Sequence, residues 1–326
     1  MEYRRLGTTD CFISRLGFGC APASGYDYGP VDESSWIDAV RAALDCGINF
    51  FDVAEVYGFG YAEELLTRAL DQKRHEVVIA TKGGLVRDGS DRVHRDASRY
   101  RIAQSVEDSL RRLRVDVIPL SQIHWPDPAT PIVETLDALA TCQQQGKIRF
   151  IGVCNFALGQ LQGACESHRV ESIQVPYNPL CREIEHEILP WCESTKTGVV
   201  AHTGLARGLL AGKRQLGSRF EAPDTRNGSP YFSEDGLTEK KQLVEALRQL
   251  SERTRRSISS VALRWILDNP RVTAVLVGIK NPAQLEENLK AVDWQLDNSD
   301  YELLSNLSAA CPRGLTGVPA HGAAGG

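Results

Sequence analysis

The sequence predicts an α/β fold: a closed (β/α)8 barrel with an N-terminal β-hairpin and an extra C-terminal helix. Three observations carry that expectation. Short apolar runs of strand length alternate with helix-period segments about eight times along the chain. Such strands imply a parallel sheet, and eight strand–helix units close on themselves into a TIM barrel. The rival arrangement, an open doubly wound sheet for a dinucleotide, needs GxGxxG directly after its first strand. Gly17 and Gly19 supply two of the glycines, but position 22 is Pro22, so that fingerprint is absent. At 326 residues the chain exceeds the usual single-domain size, as β/α barrels routinely do.

Taken in order, residues 3–19 read as two short strands around a Gly-Thr-Thr-Asp turn. Residues 35–46 set Trp36, Val40, Ala43 and Leu44 on one helical face. Residues 49–54 form a short buried strand, 62–70 a helix with Leu65, Leu66 and Ala69 inward, and 77–82 the next strand. Ile102, Val106, Leu110 and Leu113 then recur at helical spacing. Residues 115–124 follow as a strand in which Pro119 sits badly, because a central strand needs its amide hydrogens; a bulge or a late strand start accommodates it. Residues 132–145 form a helix capped by Gly146. Strands at 147–154, 172–177 and 199–203 alternate with helices at 157–167 and 187–196. A long polar stretch, 205–236, comes next, and loops of that length are functional or mobile. Helices at 238–254 and 259–268, a strand at 272–278 and a helix at 282–292 complete the barrel, with the extra helix before residue 311. Residues 1–310 are therefore read as one barrel domain. The tail 311–326 has no apolar periodicity and is expected to be disordered. No internal repeat is visible.

Composition narrows the function classes. Hydrophobic residues make up 42% and charged residues 24%, as in soluble globular proteins. The net charge is −5 with no basic patch, which argues against nucleic acid as a partner. No apolar run is long enough to cross a bilayer, and MEYRRLGTTD lacks the apolar core of a signal peptide, so a cytoplasmic location with no membrane partner is expected. Nine cysteines occur without CxxC pairs or histidines at zinc spacing, which favours reduced thiols over disulfides or a metal site.

Barrel active sites lie at the C-terminal ends of the strands. Asp52 ends the second strand, Tyr57 follows five residues later, Lys82 ends the third and His124 the fourth. Taken singly, these are a helix cap, a rim aromatic, a solvated lysine and a core histidine. Together they sit on successive neighbouring strands, where a buried Lys and Asp must pair.

Longer motifs surround these four residues. They run from Ile48-Asn49-Phe50-Phe51-Asp52 through Glu55-Val56-Tyr57-Gly58 to Glu63-Glu64-Leu65-Leu66. Ile79-Ala80-Thr81-Lys82, Asp108 to Leu113, and Gln122-Ile123-His124-Trp125-Pro126-Asp127 follow. Gly152 to Phe156, Gln174 to Leu180, Gly208 to Lys213 and Glu287-Asn288 complete the series. In this order the chain resembles the aldo-keto reductase superfamily, from the N-terminal hairpin to about residue 295.

The resemblance implies NADPH-dependent reduction of an aldehyde, ketone or keto-sugar. A free phenol is a sluggish acid. Lys82 is expected to lower the pKa of Tyr57 and make it a competent general acid. Asp52 holds the Lys82 ammonium, and His124 orients the carbonyl oxygen. Asn155 and Gln174 are expected to bind the nicotinamide carboxamide together with Cys154, where the family usually has Ser. At the end of the strand 199–203, His202 stands where the family usually has a Tyr stacked on the nicotinamide; the imidazole is expected to stack there over less area, with Thr203 also at the cofactor. The segment Gly204–Lys213, including Leu205 and Lys213, is expected to cover the pyrophosphate.

Gly278, Lys280, Gln284, Glu287 and Asn288 match the adenosine-phosphate segment; Lys280 suits a 2′-phosphate, although Gln284 replaces an often-found Arg. Trp125 is expected to line the substrate pocket, framed by residues 84–98 and 205–236, with Arg87, Arg92, Arg95 and Arg99 available to a polar or anionic substrate. The competing reading is a cofactor-binding regulatory or redox-sensing subunit with slow or no turnover. An isomerase or metal-dependent hydrolase on the same barrel needs ligand clusters that the sequence lacks.

Overall fold

The computed structural model of the chain describes residues 1–25, 29–88, 92–212, 220, 224, 226 and 229–311. Strands β1 (Tyr3–Arg5) and β2 (Phe12–Ser14) form the N-terminal antiparallel hairpin. Barrel strands are β3 (Leu16–Gly19), β4 (Phe50–Asp52), β5 (Val78–Gly83), β8 (Ile118–Ile123), β9 (Ile148–Cys154), β10 (Ser172–Pro176), β11 (Gly198–His202) and β12 (Ala274–Gly278). They pair in parallel in that order, and β12 pairs back onto β3 to close the barrel. Between β5 and β8 lies a second small hairpin, β6 (Leu85–Arg87) with β7 (Val93–Arg95).

Around the barrel run α1 (Glu33–Asp45), α2 (Tyr61–Leu70), α3 (Arg99–Leu113), α4 (Ile132–Gln144), α5 (Leu158–Ser167) and α6 (Ile188–Thr195). Two helices, α7 (Leu237–Thr254) and α8 (Ile258–Asp268), separate β11 from β12; α9 (Pro282–Leu289) and the extra α10 (Asn298–Ala309) follow. Side-chain caps start several of them: Asp32 accepts from Ser35 N, Ser98 from Arg101 N and Ser257 from Ser260 N. Gly146, at φ 74°, turns the chain out of α4 in the left-handed region.

The expected strand at 115–124 starts late, at Ile118. The amide of Ile118 donates to Lys147 O on the β9 side, so by alternation position 119 faces β5, whose pairing begins only at Leu120. The missing N–H of Pro119 therefore falls just outside the ladder. The β6–β7 hairpin within 84–98 was not expected. Each of its strands is three residues long, too short to show a period. In the polar stretch, Ala206–Ala211 and Pro230–Phe232 form short 3-10 turns. Nearly all of the expected disordered tail, from residue 312 onward, lies outside the described residues. Among those described, no helix is long and apolar enough to cross a membrane.

The N-terminal hairpin plugs the bottom of the barrel. Leu6 and Ile13 are fully buried against an interior layer that includes Phe50, Leu120, Val200 and Leu276. That closes the end opposite the strand C-termini and leaves the top for chemistry. Truncating Leu6 to Ala should lower unfolding free energy by about 2–5 kcal/mol, the usual cost of a buried leucine cavity. Urea denaturation measures this; an unchanged midpoint would mean the hairpin is not part of the cooperative core.

Candidate active site

At the top of the barrel, register brings polar side chains to one level. Lys82 pairs with Gln122 across β5–β8, and Cys154 pairs with Gln174 across β9–β10. Lys82 and Asp52 are almost completely buried, at 1% and 3% exposure. The Lys82 ammonium donates to Asp52 Oδ1 at 2.5 Å, to Val53 O at 3.1 Å and to Tyr57 Oη at 3.3 Å. Asp52 Oδ2 accepts from Gln174 Nε2 at 2.7 Å and from Gln122 Nε2 at 3.3 Å. One carboxylate thus organises a cation and two amides, and its charge offsets the desolvation of the lysine.

Behind this group, fully buried Glu63 accepts from Thr81 Oγ1 at 2.6 Å and Ser109 Oγ at 2.8 Å, and pairs with Arg112. These bonds tie β5, next to Lys82, to α2 and α3.

Burial pushes the Lys82 ammonium down, but Asp52, followed by Tyr57 and Cys154, pushes it up further, so its pKa lies above the ordinary lysine value. For Tyr57 the expectation of a lowered pKa is corrected. Burial pushes the phenol up; Lys82 pulls it down as expected, yet Asp52 and Cys154 add to the rise and the net shift is upward. The phenol remains protonated throughout the physiological range. The His124 ring stands edge-on to Tyr57 with 5.8 Å between ring centres.

A cavity of about 320 Å³ is lined by Tyr57, His124, Asn155, His202, Gly278 and Lys280, among others. Pockets of that volume suit small organic ligands. Asn155 Nδ2 donates to His124 O at 3.1 Å and to Cys154 Sγ at 3.2 Å, while Cys154 Sγ donates to Gln174 Oε1 at 3.7 Å. Burial raises the Cys154 thiol well above the ordinary range, so it serves as a neutral hydrogen-bonding group.

The family model described as "Aldo/keto reductase family" matches residues 15–309. The chain belongs to the aldo/keto reductase family. It is 38% identical over 310 residues to the aldo-keto reductase YhdN of Bacillus subtilis (strain 168), covering 94% of this chain and 93% of the relative. It is 31% identical over 323 residues to the NADH-specific methylglyoxal reductase of Escherichia coli (strain K12), covering 94% and 98%. The solved glycerol dehydrogenase AKR11B4 of Gluconobacter oxydans superposes with a TM-score of 0.86 at 37% identity, covering 94% of this chain and 95% of that one. The protein is accordingly an NAD(P)H-dependent oxidoreductase of the family that acts on small-molecule carbonyl compounds.

Within this aldo-keto reductase, fifteen of the seventeen residues singled out from sequence border the cavity. The exceptions are Lys82, buried behind Tyr57, and Lys213, which lies outside the described residues. In the lining by α9, Gln284 N donates to the helix cap Asn281 Oδ1, and Gln284 Oε1 accepts from Lys280 N, both at 2.9 Å. Glu287 accepts from Ser259 Oγ at 3.2 Å. The Lys280 ammonium donates to Gly29 O at 3.3 Å and Pro30 O at 3.5 Å, which holds it at the cavity edge.

The loop arginines meet protein groups. Arg87 lies over the Phe59 ring and Arg95 over the Trp125 ring; Arg92 pairs with Asp88 and Arg99 with Asp137. Sequence reading missed Gln122, although it stands two residues before His124 on the same inward face. It also missed Arg207 and Arg226, which border the cavity from an aperiodic loop that carries no such signal. Asp224 holds the Arg226 guanidinium, which stacks on Phe220.

Proposed function

We propose that this enzyme reduces a small aldehyde, ketone or keto-sugar to the alcohol, with NADPH as hydride donor and Tyr57 as general acid. The observation that carries this reading is the Tyr57 hydroxyl, 3.3 Å from a buried ammonium that is fixed by Asp52, in the lining of the cavity. The donor set fits a nicotinamide dinucleotide. Amides of Asn155 and Gln174 border the end near Tyr57, and Lys280, Arg207 and Arg226 border the rest, where phosphates need cations.

When bound, reduced nicotinamide supplies a hydride to the carbonyl carbon. The protein supplies the proton: Tyr57 Oη–H donates to the carbonyl oxygen, and Lys82 stabilises the phenolate that results. His124 donates a hydrogen bond to the same oxygen and orients it. Trp125, beneath Arg95, forms part of the substrate wall. Names of the relatives, a methylglyoxal reductase and a glycerol dehydrogenase, make three-carbon oxygenated compounds the first substrates to try.

Lys280 favours NADPH, because an ammonium beside the N-terminus of α9 suits the extra phosphate. The NADH-specific relative makes this a point to measure. Methylglyoxal, glyceraldehyde and dihydroxyacetone should each be assayed with both cofactors by loss of reduced nicotinamide absorbance. The expected result is a higher kcat/KM with NADPH. Lys280→Met should lower it about tenfold or more with NADPH and leave NADH unaffected. Equal efficiency with both cofactors refutes the preference, and no turnover on any carbonyl refutes the reading.

A further inference from the structure

The histidine that ends β11 has both ring nitrogens engaged. His202 Nδ1 lies 2.8 Å from Thr203 Oγ1, and Nε2 lies 2.9 Å from Asn155 Oδ1. The orientation of the Asn155 amide is fixed independently, because its Nδ2 donates to His124 O and Cys154 Sγ. Oδ1 is then an acceptor only, so the histidine proton belongs on Nε2. Nδ1 in turn accepts from the Thr203 hydroxyl. Burial, reinforced by Lys82, holds the pKa of the ring down at about 3, so the ring stays neutral.

The two residues joined by the ring are unusual. Asn155 has φ 62° and Thr203 φ 57°; Asn enters this left-handed region more readily than most side chains, whereas a β-branched Thr there is an outlier. Such conformations persist when surrounding bonds over-determine them, and they cluster at functional sites. Here Asn155 N donates to Gln174 O at 2.9 Å, and Asn178 Nδ2 donates to Thr203 O at 3.0 Å. The ring of His202 bridges these two left-handed positions. It also links the strand end of β11 to the backbone of His124 through a single amide.

We propose that His202 is a positioning residue, whose Nε2–H fixes the Asn155 amide so that the second lone pair of Oδ1 is presented to the nicotinamide carboxamide. This differs from a ring that acts by stacking area, and it rests on the reading of the cavity as a nicotinamide site. Hydrogen-bond direction carries the role; the flat face does not.

A double-mutant cycle with Asn155→Ala tests it. His202→Phe keeps a flat ring and removes the donor. It is expected to lower kcat about tenfold in the wild-type background and less than about twofold when Asn155 is already Ala, because the bond it breaks is then absent. His202→Gln, which retains an N–H donor, should recover most of the loss. An equal fold-loss in both backgrounds, or full activity in His202→Phe, overturns the proposal.

A readout free of turnover runs alongside: ¹⁵N NMR of the histidine ring in the wild-type protein. A neutral Nε2–H tautomer supports the bond, and an Nδ1–H or doubly protonated ring overturns it. Nicotinamide fluorescence on titration separates the two ideas. A wild-type protein that binds no nicotinamide defeats the cavity reading, while the NMR result still decides the tautomer.

Discussion

Replacing Tyr57 by Phe is expected to lower kcat for carbonyl reduction by a factor of roughly a hundred to ten thousand, the range a positioned general acid supplies. The substitution removes one hydroxyl and keeps the ring. The edge-on packing against His124 and the position of the cation over the ring, 5.0 Å from its centre, should survive. Lys82 loses one hydrogen bond at 3.3 Å but keeps Asp52 and Val53 O, so the fold and the amides of Asn155 and Gln174 are expected to stay in place. NADPH affinity, measured by fluorescence quenching, should change less than about threefold, because the role proposed for the lost group is at the carbonyl oxygen and not at the cofactor. Near-normal turnover in this variant would remove Tyr57 from the mechanism.

The second large effect is expected at Asp52. Asp52→Asn leaves the Lys82 ammonium buried with only neutral acceptors. Removing one partner of a buried pair costs about 3–5 kcal/mol. The pH dependence has a definite sign. In the wild-type protein the folded-state pKa of Lys82 is raised above its reference of 10.5. A basic group raised on folding contributes its full stability below the unfolded pKa and loses it only as pH climbs through the folded value. The wild-type protein therefore shows no loss linked to Lys82 at neutral pH.

In Asp52→Asn the leading upward cause is gone and burial, which pushes down, prevails. The folded lysine then releases its proton at a pH where the unfolded chain still holds it. Stability of the variant relative to wild type should rise with pH toward 10.5. Parallel urea titrations across neutral and alkaline pH measure this. A difference that does not change with pH would mean Asp52 is not the counter-ion that keeps Lys82 charged. Activity should fall with the same substitution, because the phenolate left on Tyr57 loses its cation wherever Lys82 is neutral.

Much of this architecture was legible from residue patterns. Strand-length apolar runs gave the barrel, and their ends named Asp52, Lys82 and His124 because a strand C-terminus is where a barrel exposes side chains. What escaped depended on register or on three-dimensional packing. Pro119 looked wrong for a central strand until the ladder with β5 was seen to begin one residue later. Gln122 was available from alternation alone, two residues before His124, but its partner Asp52 lies 70 positions away. The upward shift of the Tyr57 phenol is set mainly by desolvation, and spacing carries no measure of burial. The bonds of His202 depend on a left-handed Asn155, a backbone state that its sequence context does not announce.

The most direct test is a crystal structure of the ternary complex with NADP⁺ and an alcohol product. The substrate oxygen is expected within hydrogen-bonding distance, about 2.6–3.2 Å, of both Tyr57 Oη and the His124 ring, with Lys82 still joined to Tyr57 and Asp52. An oxygen bound instead to another proton donor, with Tyr57 turned away from it, would contradict the mechanism.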